Sequence, residues 1–91
     1  MRLFTTIEQT RALKKSYGLA PAGENFSIGE LIGVLPLQVI YDNVKFSLNI
    51  MPWRGEWLIR YSDLEGSSIC RASGVELVDA LFEIIENLNT I

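Results

Sequence analysis

Three apolar-rich runs, Leu37 to Tyr41, Val44 to Met51 and Glu56 to Ser62, are separated by two short turn signals. That spacing constrains the chain more than any other feature. The first signal is Asp42-Asn43. A two-residue Asx loop is a favoured hairpin turn, because Asx tolerates positive φ. It sets Tyr41 opposite Val44, Val39 opposite Phe46 and Leu37 opposite Leu48. Opposite residues share a face, and all three pairs are apolar. Gln38 meets Ser47 and Ile40 meets Lys45 on the other face. A one-residue slip scrambles this sorting.

The second signal is Pro52-Trp53-Arg54-Gly55. Pro presets φ near the start of a turn and Gly relieves strain at its end. As a four-residue loop it pairs Met51 with Glu56. Ile50 then faces Trp57, Leu48 faces Ile59, and Phe46 faces Tyr61. The opposite face carries Lys45, Ser47, Asn49, Met51, Leu58 and Arg60, a mostly polar set. One greasy face emerges from two independent turns, which predicts an antiparallel sheet covered by helices on one side.

Helical signals flank the sheet. A first helix is expected from about Thr6 to Tyr17, with Thr5 and Glu8, or Thr6 and Gln9, as its capping box. Gly18 stops it, with Leu19 folding back. Thr10, Leu13 and Tyr17 make a thin inward stripe, while Arg11, Lys14 and Lys15 gather elsewhere. A second helix is expected over Ile28 to Leu35, with Ser27 and Glu30 as capping box and Phe26 and Leu31 as hydrophobic staple. Its Gly29 and Gly33, four apart, permit close packing against another backbone. Pro36 ends it. Ala20 to Asn25 reads as a plain connector.

Beyond the second hairpin, Asp63-Leu64-Glu65-Gly66 reads as a turn, and Ser67 to Arg71 as a short fourth strand. A third helix is expected from Gly74 to about Asn89, capped by Ser73 and Glu76. Leu77, Val78, Ala80, Leu81, Phe82, Ile84, Ile85 and Leu88 cover a broad arc. Such an arc is wide for an amphipathic helix. Part of it covers the sheet, and the rest meets another helix or a second subunit. The expected fold is α+β: a three- to four-stranded antiparallel meander with two N-terminal helices and one long C-terminal helix packed on one face. With 91 residues, 1–91 reads as a single domain.

Composition limits the chemistry. There is no histidine, which removes the usual general base and the commonest metal ligand. Cys70 is the only cysteine, so no internal disulfide forms and a buried core role is expected. A lone cysteine also fits a reducing cytoplasm. No phosphate-binding glycine loop, HExxH or CxxC pattern occurs. Neither an enzyme nor a cofactor or metal site is therefore expected. No apolar run approaches the roughly 18–20 residues of a membrane span. Met-Arg-Leu-Phe-Thr-Thr lacks an apolar signal core. A formal net charge of −3 disfavours broad nucleic-acid binding.

Candidate contacts remain. Glu76, Asp79, Glu83 and Glu86 form a narrow acidic strip on the third helix. A solvated face is the plain reading, and contact with a basic surface is the sharper one. Arg11, Lys14 and Lys15 are the clustered cations that can answer it, within the monomer or across a dimer. Trp53 and Arg54 sit at a loop tip and are residue types enriched in binding hot spots. The tryptophan can equally fold back over the sheet edge. Two function classes lead, ahead of a small-molecule or minor catalytic role that has no positive sign in the sequence. One is a non-enzymatic accessory protein acting by contact with a partner protein or its own copy. The other is a nucleic-acid-associated factor using Arg11, Lys14 and Lys15.

Phe4-Thr5-Thr6-Ile7-Glu8-Gln9-Thr10, then Leu13 and Gly18-Leu19, Ser27 with the Leu31 to Pro36 segment, the strand pair and Ala80 to Leu88 together carry a likeness. In these the chain resembles small proteins of gut Bacteroidales genomes, often encoded in prophage-like or other mobile regions. It is shorter than they are between Gly18 and Ser27. The resemblance implies a genomic setting and no activity.

Overall fold

The computed structural model of the chain describes residues 1–90. Its elements are α1 (Ile7–Tyr17), α2 (Ile28–Val34), β1 (Gln38–Tyr41), β2 (Val44–Trp53), β3 (Glu56–Ser62), β4 (Ser68–Gly74) and α3 (Leu77–Leu88). The strands form one antiparallel sheet in the order β1-β2-β3-β4. The architecture is α+β. The fourth strand forms and runs past Arg71 to Gly74.

The first hairpin has the register its turn dictates: Val39 lies opposite Phe46 and Tyr41 opposite Val44. Asp42 and Asn43 adopt φ of 52° and 65°, the paired left-handed conformation that matches the twist of the strands. The second hairpin differs from the sequence expectation. Trp53 pairs with Glu56, and Met51 with Leu58 instead of Glu56. The loop is two residues, Arg54 and Gly55, with φ of 51° and 79°. Pro52 therefore lies inside β2, opposite Trp57. It is tolerated because β1 pairs with β2 only as far as Ser47 and Leu48. In a two-residue hairpin the closing pair is hydrogen-bonded and the next pair is not. The missing N–H of Pro52 thus faces an open edge. The shift is by two residues, so every side chain keeps its expected face.

Helix α1 begins at Thr6, whose capping box is with Gln9. Gly18 ends it in the left-handed region at φ 66°, and the Leu19 N–H returns to the Leu13 carbonyl at 3.4 Å. Helix α2 has the Ser27 and Glu30 capping box, with Phe26 and Leu31 both buried beneath it. The Glu30 carboxyl lies below its usual range, chiefly because the Ser27 and Ala22 backbone N–H groups donate to its ionised form. The glycines of α2 mediate no close packing: no side chain or foreign backbone comes within 4 Å of a Cβ built at Gly33.

Helix α3 starts at Leu77, and no capping box of Ser73 with Glu76 forms. Ser73 belongs to β4, opposite Leu58. Glu76 occupies the cap position without a side-chain cap bond. Losing a cap costs about 1 kcal/mol. Burying Leu77, Val78, Leu81, Ile84 and Ile85 contributes about 1.5–3 kcal/mol each, so packing decides where this helix lies. It crosses β3 and β4, and α2 packs against it. Leu13, Phe26, Leu31, Leu35, Ile59, Tyr61, Cys70 and Ala72 complete one continuous core with α3. The Tyr61 hydroxyl donates to the Pro36 carbonyl at 2.7 Å, tying the sheet to the end of α2.

The N-terminal segment joins this frame. The Thr5 N–H donates to the Phe26 carbonyl at 2.9 Å, and the Phe26 N–H donates to Thr5 Oγ1 at 3.0 Å. Thr10 Oγ1 donates to Asn25 Oδ1 at 2.6 Å and lies 2.7 Å from Thr5 Oγ1, whose proton it accepts. Thr5 and Thr10 are both buried, so each bond replaces lost water. Thr5→Val strands the Phe26 N–H and the Thr10 oxygen. It is expected to lower unfolding free energy by about 1–3 kcal/mol, read by urea denaturation against wild type.

Candidate functional site

The helices occupy one side of the sheet and leave the other open. Strand alternation and the observed pairing put five rows on the open face. Trp53 stands beside Glu56, and Met51 beside Leu58 and Ser73. Asn49, Arg60 and Arg71 form the next row, Ser47, Ser62 and Gln38 the fourth, and Lys45 with Ile40 the last. An open groove of about 880 Å³ lies over the last rows. Lys45 and Gln38 line one wall, Asp63 and Glu65 the other, with Ser47, Asn49 and Ser62 in its floor. Asn49 Nδ2 donates to Ser62 Oγ at 2.8 Å and to the Ser47 carbonyl at 3.1 Å, so the floor is ordered. Asp63 accepts the Glu65 and Ser67 N–H groups and shapes the β3–β4 turn that bounds it.

Arg60 and Arg71 are direct cross-strand partners. Like charges placed opposite each other destabilise a sheet. Among the described residues the one ion pair is Arg2 with Asp79, so no carboxylate answers either arginine. Arg60 Nε is shielded from solvent and has no hydrogen-bond partner. Leu58, also on this face, is only 6% exposed, so side chains of the open face cover it themselves.

The first hairpin carries a different surface. Leu37, Ile40, Tyr41 and Val44 are 76%, 74%, 53% and 40% exposed. The sequence put Leu37, Tyr41 and Val44 on the greasy face; they share that face but extend beyond the helices. β1 is an edge strand. Its Val39 and Tyr41 bond inward to β2, which leaves the N–H and C=O groups of Gln38 and Ile40 pointing outward.

The sequence-predicted contacts fall into three separate places. Trp53 is 51% exposed, and the Arg54 guanidinium stacks over its ring at 5.4 Å. That pairing holds the tip together at about 0.5–1 kcal/mol. The acidic strip is divided. Asp79 pairs through both carboxylate oxygens with the Arg2 guanidinium and accepts from Gln9 Nε2 at 2.8 Å. Glu76 accepts the Arg2 backbone N–H at 2.8 Å. Glu83 and Glu86 form no ion pair among the described residues. Within the chain, then, Arg2 answers the strip, and Arg11, Lys14 and Lys15 do not. Those three are exposed on α1. The strip, the arginine row and the β1 edge were hard to connect in sequence because their partners lie far apart along it. Arg2 and Asp79 are 77 positions apart.

Cys70 is buried at 8% exposure, and burial pushes its thiol above the ordinary range. Burial also lifts the Tyr61 phenol, helped by the nearby Cys70, to about 12. Neither shift activates a nucleophile, which needs a lowered value. Among the described residues no helix is long and apolar enough to cross a membrane. No protein-family model, curated protein or solved structure matches the chain.

Burial by itself raises the Asp79 carboxyl, but the bonds from Arg2 and Gln9 and the charge of Arg2 outweigh it and hold it below the usual range. A carboxyl depressed in the folded state adds stability above its unfolded pKa of about 3.9. That stability is lost as pH falls through the folded value. Asp79→Asn is therefore expected to destabilise at pH 7 and to flatten the acid limb below about pH 4, measured as thermal midpoints across pH.

Proposed function

We propose that this protein is a non-enzymatic accessory factor that works by contact with another protein. The observation that carries this reading is the β1 hairpin: four large apolar side chains stand in solvent beside an unpaired strand edge. Exposed apolar clusters of this kind mark contact sites, and a free edge supplies the backbone bonds of strand addition. Partner and self-association use the same chemistry here. The absence of histidine and the upward shifts of Cys70 and Tyr61 support a contact role over catalysis. A cytoplasmic, mobile-element setting is part of the proposal and rests on the Bacteroidales resemblance and the lone cysteine.

Tagged protein is expected to retain one stoichiometric protein from lysate of its native host after nuclease treatment, or to run as a dimer by light scattering. Ile40→Asp, at a position 74% exposed, is expected to abolish either outcome without changing the melting temperature. A strict monomer that captures nothing, or capture indifferent to Ile40→Asp, contradicts the reading.

The second reading, nucleic-acid association, has one observation in its favour. Arg11, Lys14 and Lys15 are exposed and engaged in no ion pair among the described residues. It requires binding that falls steeply with salt and disappears in the Arg11→Glu/Lys14→Glu/Lys15→Glu variant.

Catalytic use of Cys70 is tested separately. Its alkylation is expected to be far slower in native protein than in urea; equal rates would reopen a nucleophilic role.

A further inference from the structure

We infer that the open sheet face is a receptor for an acidic, extended segment of a partner protein, held by Arg60 and Arg71. Three observations lead there. Arg60 and Arg71 stand opposite each other on adjacent strands with no carboxylate paired to either among the described residues. Arg60 Nε is enclosed without a hydrogen-bond partner. Beside them Asn49 is held by Ser47 and Ser62, which keeps the row rigid. Two cations at one strand spacing, about 4.8 Å, suit a carboxylate, which arginine binds through paired N–H groups.

The neighbouring rows define the rest of the ligand. Along a strand, rows repeat every second residue, about 6.7 Å. An extended peptide lying along the strands has the same repeat. A carboxylate over the arginine row therefore puts the side chain two positions away over Met51, and the next toward Trp53, which is 51% exposed. The fitting segment carries, on one face, one acidic side chain followed by two apolar ones. A polyanion fits poorly, because Glu56 stands at one end of the face and Asp63 and Glu65 at the other. Nucleic acid is disfavoured on the same ground. The site differs from the β1 edge contact, since it uses strands β2 to β4; of the exposed apolar side chains of the β1 hairpin only Ile40 shares its face.

The probe is the short synthetic peptide Ser-Glu-Ser-Leu-Ser-Leu-Ser, titrated into the full chain and followed by backbone NMR. Saturable shifts are expected at Asn49, Arg60 and Arg71, and none with the counterpart that has Lys in place of Glu. Arg71 is exposed and opposite Arg60, so Arg71→Glu turns a like-charge pair into an opposite one; it is expected to melt at or above wild type and to weaken binding at least about tenfold. Arg60→Met removes an enclosed, unpaired group, so it is expected to melt at or above wild type while also losing affinity. Tyr41→Asp, on the other face of β1 and 53% exposed, is expected to leave peptide binding intact, which separates this site from the β1 contact. Absence of shifts, or unchanged affinity in Arg71→Glu, overturns the inference. Tighter binding of oligo(dT) to the same residues overturns it in favour of nucleic acid. A dimer that forms without peptide and dissolves in Arg71→Glu overturns it in favour of a second copy presenting Glu83 and Glu86.

Discussion

The structure depends on two tight turns whose central residues all have positive φ: Asp42 with Asn43, and Arg54 with Gly55. Each turn fixes one register, and side chains on a strand alternate strictly. Together they decide which residues of β2 and β3 meet the helices and which meet solvent. Ile59 and Tyr61 fall on the covered side and are fully buried; Asn49 and Arg60 fall on the other. An odd slip in the second turn would send Arg60 into the core, where an unpaired charge is costly. The sorting is therefore strongly specified.

The covered side is completed by α3. Its wide apolar arc serves two neighbours at once: the sheet through β3 and β4, and α2 on its other flank. Leu13 of α1 lies in the same core. The arc needs no second subunit to account for its width. The N-terminal segment then locks the helices from outside, with Arg2 reaching Asp79 and Thr5 bonded to Phe26. What stays unsatisfied is elsewhere: the apolar β1 hairpin and the arginine row. Apolar surface at a strand edge and cations without counter-ions are costs to an isolated chain. Both make sense on a surface that is covered in use.

Local signals were legible in the sequence, and distant ones were not. The capping boxes of α1 and α2 involve residues three apart, so Thr6 with Gln9 and Ser27 with Glu30 can be read directly. Asp42-Asn43 likewise names its own turn. The Pro52 to Gly55 segment misled by two residues because proline usually marks a turn, whereas here the edge beyond β1 accommodates it in the strand. Parity survived the error, so the faces were right while the partners were wrong. Ser73 with Glu76 had the pattern of a capping box, but pairing of Ser73 with Leu58 extended β4 through it. The expected contact residues Trp53, Arg54, Glu83 and Glu86 are at the surface. The Arg60–Arg71 pair was invisible because it depends on the register of β4, which the Asp63 to Gly66 turn alone does not define: the β3–β4 pairing shifts between Tyr61 and Ser62. The alternation of Arg60 with Ile59 and Tyr61 showed only that it faced away from the core.

The most direct test of this account is the register between β2 and β3, because it builds both the core and the arginine row. Cross-strand Hα–Hα contacts in an NMR spectrum report it, since non-hydrogen-bonded antiparallel pairs bring the two Cα atoms within about 4.5 Å. The account predicts strong contacts between Leu48 and Tyr61 and between Ile50 and Ile59. Those contacts set Asn49 beside Arg60. Contacts between Ile50 and Trp57 and between Leu48 and Ile59 would contradict it: Asn49 would then stand beside Leu58, and the row assigned to the acidic segment would not exist.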